Sequence, residues 1–139
     1  MNRTPKVLVV DDEKSHRLMI GLHLKKNGYD IVEASGGREA IDLARKVRPA
    51  LILLDILMPG LDGYETCRQL KTNPATSHIP IIILTALADP LASYKARQAG
   101  ADDCIAKPVT SQELRDRVER DLRRYELFHG ARQRAKENE

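Results

Sequence analysis

The chain has 139 residues, of which 42% are hydrophobic and 31% charged, and its formal net charge is +3. This size and balance fit one globular domain with a single core. Acidic and basic residues are interspersed, so the composition gives no reason to expect a nucleic-acid partner or an anionic membrane partner. No apolar run approaches the roughly 18 residues of a membrane span, and the N-terminus lacks the apolar stretch of a signal peptide. Cys67 and Cys104 have no metal-ligand spacing, and we predict a cytoplasmic protein with both thiols reduced.

Five short apolar segments run along the chain, and each is followed by a helical pattern. The predicted strands are residues 6–10, 30–34, 50–54, 79–85 and 103–106. The first, third and fourth are almost entirely apolar, which is typical of strands that are buried on both faces. Strands that alternate with helices form a parallel sheet covered by helices on both sides. The sequence therefore predicts an open, doubly wound α/β domain.

The apolar residues of the helical segments indicate how these segments pack. In the first helix, Leu18, Met19 and Leu22 share one face. In the last helix, which is predicted to start near Thr110, an apolar stripe mixes spacings of three and four residues: Leu114, Val118, Leu122, Tyr125 and Phe128. We expect the first turns of this stripe to pack on the sheet and the rest to project beyond the domain. We assign the domain to residues 1–128, and residues 129–139 to a frayed polar tail or the start of a linker.

Polar residues follow four of the predicted strands. In an open parallel sheet, ligands bind outside the carboxyl ends of the strands, near the point where the strand order reverses. The residues that reach these ends are Asp11, Asp12 and Glu13 after the first strand, Asp55 after the third, Thr85 and Ala86 at the fourth, and Lys107 after the fifth. Clustered carboxylates repel each other at neutral pH, and a set of oxygen ligands selects a hard cation such as Mg²⁺. The sequence therefore predicts an acidic metal site with one lysine beside it.

Four stretches carry this constellation: "VLVVDDE" (7–13), "LLDILMPGLDG" (53–63), "PIIILTA" (80–86) and "DCIAKP" (103–108). In this order and at this spacing they resemble the receiver domain of two-component response regulators, over residues from about 6 to 128. The resemblance implies a flavodoxin-like sandwich with five parallel strands in the order 2-1-3-4-5. It also implies a signalling switch that catalyses only its own phosphorylation and dephosphorylation.

The resemblance assigns a chemical role to each residue of the site. Asp55 would accept a phosphoryl group from a histidine kinase or a histidine phosphotransfer protein. Mg²⁺ would be held by Asp11, Asp12, Asp55 and the backbone carbonyl of Leu57. The ammonium of Lys107 would neutralise charge on the phosphoryl oxygens, the Thr85 hydroxyl would bond one of them, and Ala86 would keep the approach clear.

The resemblance also implies how the signal leaves the domain. Thr85 would be drawn toward the phosphate, and the face formed by the fourth and fifth strands would rearrange. Cys104 stands three residues before Lys107, where the family commonly has Tyr or Phe. A small thiol cannot swing between buried and exposed positions as an aromatic ring does, so we interpret Cys104 as a small strand residue. A downstream protein or a fused output domain would bind the rearranged surface. A second copy of this domain is a further expected partner, in a homodimer through the fourth helix, fifth strand and fifth helix.

Two other functions fit part of the pattern. A receiver-like adaptor would work by protein contact alone, but a scaffold does not need five polar residues at one costly site. A phosphohydrolase with an aspartyl-phosphate intermediate typically carries a second carboxylate two residues after its nucleophile, and Leu57 occupies that position.

The remaining polar and sulfur residues have simpler interpretations. Asp62 and Gly63 are interpreted as turn and cap residues, and Cys67 as a core or near-core residue. The four histidines share no spacing and are interpreted as surface residues: His16, His23, His78 and His129.

Slow self-dephosphorylation is a further expectation that follows from the resemblance. Leu57 and Leu87 lie two residues after Asp55 and Thr85, and their apolar side chains should hinder an attacking water. The lifetime of the acyl phosphate, followed by intact mass after the phosphodonor is removed, measures this effect. A half-life of seconds would contradict it.

Overall fold

The computed structural model describes residues 4–56, 58, 60, 62–85 and 90–137, with side chains up to residue 127. Strands and helices alternate along these residues: β1 (Lys6–Val10), α1 (Lys14–Lys26), β2 (Asp30–Ala34), α2 (Gly37–Val47), β3 (Leu51–Asp55), α3 (Gly63–Thr72), β4 (Ile81–Thr85), α4 (Ala92–Gln98), β5 (Asp103–Ala106) and α5 (Ser111–Glu137). The strands form one parallel sheet in the order β2-β1-β3-β4-β5. The predicted fold is therefore confirmed. Within these residues, no helix has the length and apolarity to cross a bilayer.

The central strands are buried on both faces, as their apolar sequences predict. On β3, Leu51 and Leu53 pack into a cluster with residues of α1 and α5, whereas Ile52 and Leu54 pack into a second cluster with residues of α2, α3 and α4. Alternate residues of a strand point to opposite faces, so one apolar run supplies both clusters. Each fully buried leucine or isoleucine stabilises the fold by roughly 1.5–3 kcal/mol relative to an exposed one.

The fourth strand begins two residues later than the sequence pattern predicts. Ile79 donates its backbone N–H to the Thr76 carbonyl in a turn, with an N to O distance of 3.0 Å. Pro80 has no N–H to donate to a neighbouring strand. The ladder of β4 therefore starts at Ile81.

The predicted first helix is present, but the apolar residues that share its predicted face are not those that pack on the sheet. Leu18, Met19 and Leu22 are 48%, 54% and 60% exposed, and the core contacts of this helix come from Ile20 and Leu24. Both sets recur at helical spacing, so periodicity alone does not separate them. The packing is decided by the contacts of Ile20 and Leu24 with the buried cluster. Gly21 lies beside them, where a Cβ would meet Ile31 Cγ2 at an ordinary contact distance of 3.5 Å.

The last helix is longer than predicted. α5 continues to Glu137, so the tail predicted to be frayed is helical through residue 137. Its segment 131–137 contains Ala, Arg, Gln, Lys and Glu, all of which are good helix formers. The first turns pack on the sheet as expected, because Leu114, Val118 and Leu122 are buried. Tyr125 is half-buried, the side chain of Phe128 lies outside the described residues, and the domain boundary at residue 128 stays a prediction.

The start of α3 lies directly against the end of β3. The Asp62 carboxylate accepts a hydrogen bond from the Glu65 N–H at 2.8 Å and so caps the helix, as its interpretation as a cap residue predicts. Gly63 donates its N–H to the Ile56 carbonyl at 3.1 Å. A Cβ on Gly63 would lie 2.5 Å from the Asp55 carbonyl oxygen and 2.6 Å from Ile56 Cα. The close approach that holds Asp55 in place therefore requires glycine.

We predict that Gly63→Ala lowers the free energy of unfolding by about 2 kcal/mol, because the added methyl group must push backbone atoms apart. Urea denaturation followed by circular dichroism measures this. Gly36→Ala is the matched control: Gly36 has extended backbone, and its Cβ would meet nothing within 4 Å. Equal denaturation midpoints for the two variants would contradict the prediction.

The fold also buries a carboxylate far along α5. Asp121 is 2% exposed, and neither of its oxygens accepts a hydrogen bond from any described residue. Arg120 Nε and Arg124 Nη1 lie 3.6 and 3.8 Å from Asp121 Oδ1, beyond hydrogen-bonding distance. Burial, with a further contribution from the charge of Asp103, raises the pKa of Asp121 to about 6. An acid whose pKa is higher in the folded state binds protons more tightly in that state. The contribution of Asp121 to the free energy of unfolding is therefore greatest at low pH and is lost as the pH rises through about 6.

We expect Asp121→Asn to remove this pH-dependent loss. At pH 8 the variant should be more stable than the parent by about 2 kcal/mol, and the difference should shrink to nearly zero by pH 4. Urea midpoints measured across this range test the expectation, with Asp116→Asn on the exposed face of α5 as control. A gain of the same size at both pH values would show that charge burial is not its cause.

Candidate functional site

Four strand ends meet at one edge of the sheet and bring the predicted site residues together. Asp11 directly follows β1, Asp55 and Thr85 end β3 and β4, and Lys107 directly follows β5. β1 is hydrogen-bonded to β2 on one side and to β3 on the other. The order in which successive strands are added to the sheet therefore reverses direction at β1. Asp11 and Asp55 flank this switch point, which is where doubly wound sheets bind their ligands.

Three carboxylates form the acidic part of the site. One oxygen from each of Asp11, Asp12 and Asp55 lies within 4.8 Å of the other two. Asp11 and Asp55 are buried, and Asp12 is exposed. Asp11 Oδ1 accepts the Glu13 N–H at 2.9 Å, whereas its buried Oδ2 accepts no hydrogen bond from the described residues.

The environment of Asp11 disfavours its ionised form. Burial raises the pKa of Asp11, and the neighbouring Asp55 charge raises it further. The Glu13 N–H and the positive charges of Lys107 and His16 oppose these effects and lower the pKa. A cation bound among these oxygens would stabilise the charged form. All three side chains offer oxygen atoms, and the buried Asp11 Oδ2 accepts no hydrogen bond from the described residues. Such a set of ligands fits a hard divalent ion.

Lys107 supplies the basic part of the site. Its Nζ lies 3.1 Å from Asp55 Oδ2, with the lysine partly exposed and the aspartate buried. The backbone N–H of Lys107 donates to the Thr85 carbonyl at 2.7 Å, which ties the loop after β5 to the end of β4. Thr85 is buried beside them. The ends of β4 and β5 therefore bring Thr85 and the Lys107 ammonium to the edge of the sheet where Asp55 lies.

Two predicted site residues and one neighbour lie outside the described residues: Leu57, Ala86 and Leu87. Cys104 is a partly buried residue of β5, paired in register with Ile83 and packed against the core. This position agrees with its interpretation as a small strand residue, and its part in a switch stays a prediction. Cys67 is wholly buried, and burial raises the pKa of its thiol to about 12, so this thiol stays protonated.

Two residues of α1 contact the site, and the sequence analysis did not find them. His16 Nδ1 lies 3.4 Å from Asp11 Oδ2, and its Nε2 lies 3.3 Å from Glu13 Oε2. Arg17 donates from Nη1 to the Asp11 carbonyl at 2.7 Å. The interpretation of His16 as a surface residue misses this contact. The available signal was its position three residues after Glu13, because residues at that spacing share a helix face.

Comparisons with known proteins agree on one family. The sequence model of one protein family, the response regulator receiver domain, matches residues 7–119 of this chain. A probable transcriptional regulator, ycf27, from Porphyra purpurea is 42% identical over 123 residues, which are 88% of this chain and 49% of the relative. Its counterpart in Cyanophora paradoxa is 43% identical over 87% of this chain and 49% of the relative. The chain thus spans about half the length of the curated relatives it matches.

Solved structures support the same assignment. The chemotaxis protein CheY4 of Vibrio cholerae superposes with a TM-score of 0.80 at 31% identity, over 85% of this chain and 98% of that one. The signal receiver domain of a signal transduction histidine kinase from Syntrophus aciditrophicus has a TM-score of 0.80 at 38% identity, over 86% of this chain and 90% of that one. This chain therefore belongs to the response regulator receiver domains, the signalling domains of two-component systems.

Proposed function

We propose that this domain accepts a phosphoryl group on Asp55 from a histidine kinase or a histidine phosphotransfer protein. The observation that carries the proposal is the position of the Asp55 carboxylate. It ends a buried strand, and its Oδ2 lies 3.1 Å from Lys107 Nζ. One of its oxygens also lies within 4.8 Å of a carboxylate oxygen of Asp11 and of Asp12. Such a carboxylate is accessible only at the edge of the sheet where the other polar strand ends meet.

In the transfer step, Asp55 is the nucleophile. A carboxylate oxygen of Asp55 attacks the phosphorus of a phosphohistidine, the P–N bond breaks, and the imidazole leaves with its electron pair and takes up a proton. The product is an acyl phosphate on Asp55. Phosphoryl transfer depends mainly on positioning and charge stabilisation, and the sheet edge supplies both.

Lys107 and Thr85 would receive the new phosphoryl oxygens. The ammonium of Lys107 already contacts Asp55 and can exchange this carboxylate for a phosphoryl oxygen without moving far. The Thr85 hydroxyl would donate to another oxygen, and the small side chain of Ala86 would leave the approach open. Because Lys107 N–H binds the Thr85 carbonyl, a shift of Thr85 would be passed to the end of β5.

A divalent ion completes the proposed site. Asp11, Asp12, Asp55 and the Leu57 carbonyl would hold Mg²⁺, which when bound neutralises negative charge on the carboxylates and on the phosphoryl group. The unfilled Oδ2 of Asp11 and the all-oxygen donor set support this assignment. Residue 57 is a leucine and would supply only a backbone oxygen, so it would not provide the second carboxylate that an aspartyl-phosphate hydrolase would need.

The output would be a changed protein surface in the cytoplasm. Cys104 and Thr85 lie on the two strands that border this surface, and α4 exposes Tyr94 beside them. A homodimer through α4, β5 and α5 would use the same face. The relatives named as transcriptional regulators are about twice as long as this chain, which supports a fused output domain or a downstream protein as the reader. Convergence of five polar residues disfavours the phosphorylation-independent adaptor.

Incubation with acetyl phosphate and Mg²⁺ tests the proposal directly. Intact mass should show one phosphate adduct on the parent protein and none on Asp55→Asn, because the amide is not a nucleophile. The control Asp42→Asn, on the exposed side of α2, should be phosphorylated like the parent. Asp12→Ala should lose the dependence on Mg²⁺.

Each outcome decides between functions. An adduct that persists in Asp55→Asn would place the acceptor elsewhere, and no adduct with any donor would favour the adaptor. Rapid catalytic release of phosphate would favour the hydrolase. Unchanged metal affinity in Asp12→Ala would show that the ligand set is wrong.

A further inference from the structure

A second polar cavity lies at the opposite end of the sheet from Asp55. Its volume is about 250 Å³, and its walls include Pro80, which precedes β4, and Asp102, which precedes β5. Lys71 at the end of α3 and Asp121 of α5 close two further sides. The cavity is therefore built at the amino ends of the strands and shares no residue with the proposed phosphorylation site.

Most of the charge in this cavity is already paired. Lys71 Nζ lies 2.7 Å from Asp102 Oδ2 and donates to the Ile79 carbonyl at 2.7 Å. The same Asp102 oxygen accepts the Ile81 N–H at 2.8 Å. Lys71 and Asp102 thus satisfy each other and the adjoining backbone.

Asp121 differs from Lys71 and Asp102, because it has two arginines within 4 Å but no hydrogen bond from a described residue. It is buried, it lines the cavity, and both of its oxygens lack a hydrogen-bond donor. Arg120 is the nearest cation, but its Nη2 is already 2.6 Å from Asp103 Oδ2. Arg124, on the exposed rim, is too distant for a hydrogen bond. Burying a carboxylate without donors is costly, so this acceptor is poised for a ligand that brings N–H groups.

We propose that the cavity binds a guanidinium or primary ammonium group, with the Asp121 carboxylate as its acceptor. Such cations form short, charge-assisted hydrogen bonds to carboxylates, and a guanidinium can bond both oxygens at once. The His78 and Tyr125 rings, whose centroids are 6.1 Å apart, supply an aromatic wall of the kind that cations favour.

Other ligand classes fit less well. An anion would meet two carboxylates, those of Asp102 and Asp121. A metal ion would need three close ligands, and within the described residues only Asp11, Asp12 and Asp55 come close enough together. An N–H cation needs a single well-placed acceptor, which is what Asp121 offers.

Arg124 should act as the internal competitor of the ligand. Its guanidinium carries the same chemistry and lies 3.8 Å from Asp121 Oδ1 at the mouth of the cavity. Removing it should free the carboxylate for an external cation. Arg123, on the same helix but absent from the cavity wall, offers the same change of charge without the same contact.

Titration of ¹⁵N-labelled protein with methylguanidinium chloride at pH 7.5 tests the proposal. The amides of Ile79, Asp102 and Asp121 should shift in a saturable way, and tetramethylammonium chloride, which has no N–H, should leave them unchanged. Asp121→Asn should lose the saturable shifts, while Asp116→Asn keeps them. Arg124→Gln should bind about threefold more tightly than the parent, and Arg123→Gln should not.

The source of the cation is resolved by repeating the titration with a blocked Gly-Arg-Gly peptide. Tighter binding of the peptide than of methylguanidinium assigns the site to an arginine of a protein segment, whereas equal or weaker binding assigns it to a free cation. Equal shifts from both salts, or saturable shifts that persist in folded Asp121→Asn, would overturn the proposal. The phosphorylation assay on Asp55 is independent of either result.

Discussion

An ionisable carboxylate at the end of a wholly buried strand is the constraint on which this structure depends. All five residues of β3 are buried between β1 and β4, and the last of them is Asp55. An isolated charge in such a place would cost several kcal/mol. The ammonium of Lys107, 3.1 Å away, offsets part of this cost. Two more carboxylates nearby increase the need for positive charge, which is the basis of the proposed binding of Mg²⁺ and a phosphoryl group.

The rest of the fold keeps that carboxylate in position. The register that places Asp55 beside Leu84 and Thr85 beside Ala106 fixes the heights of the strand ends. Gly63 lets α3 return within contact of the Asp55 backbone, where a side chain would collide. Because the site residues sit on strand ends rather than on long loops, the packed sheet determines their geometry. The hydrogen bond from the Lys107 N–H to the Thr85 carbonyl extends the pairing of β4 with β5 to the edge where Asp55 lies.

The buried carboxylates at the two ends of the sheet differ in their partners. At the carboxyl end, Asp55 has a lysine and shares its space with other oxygens. At the amino end, Asp121 has two arginines just beyond hydrogen-bonding distance and no donor among the described residues. Arg120 is held by Asp103 on β5, so the charges of β5 and α5 compete for the same guanidinium.

The sequence by itself determined the alternation of strands and helices, the burial of the central strands, and the residues at the strand ends. These features depend on local apolar runs and on residues directly after them, which a parallel sheet necessarily brings to one edge. Only the tertiary structure decided which face of α1 packs, because two apolar sets share helical spacing and only Ile20 and Leu24 join the buried cluster. The contact of His16 with Asp11 and the donorless burial of Asp121 are also tertiary. They depend on neighbours distant in the chain, and a pattern of residue types does not report the side from which a neighbour arrives.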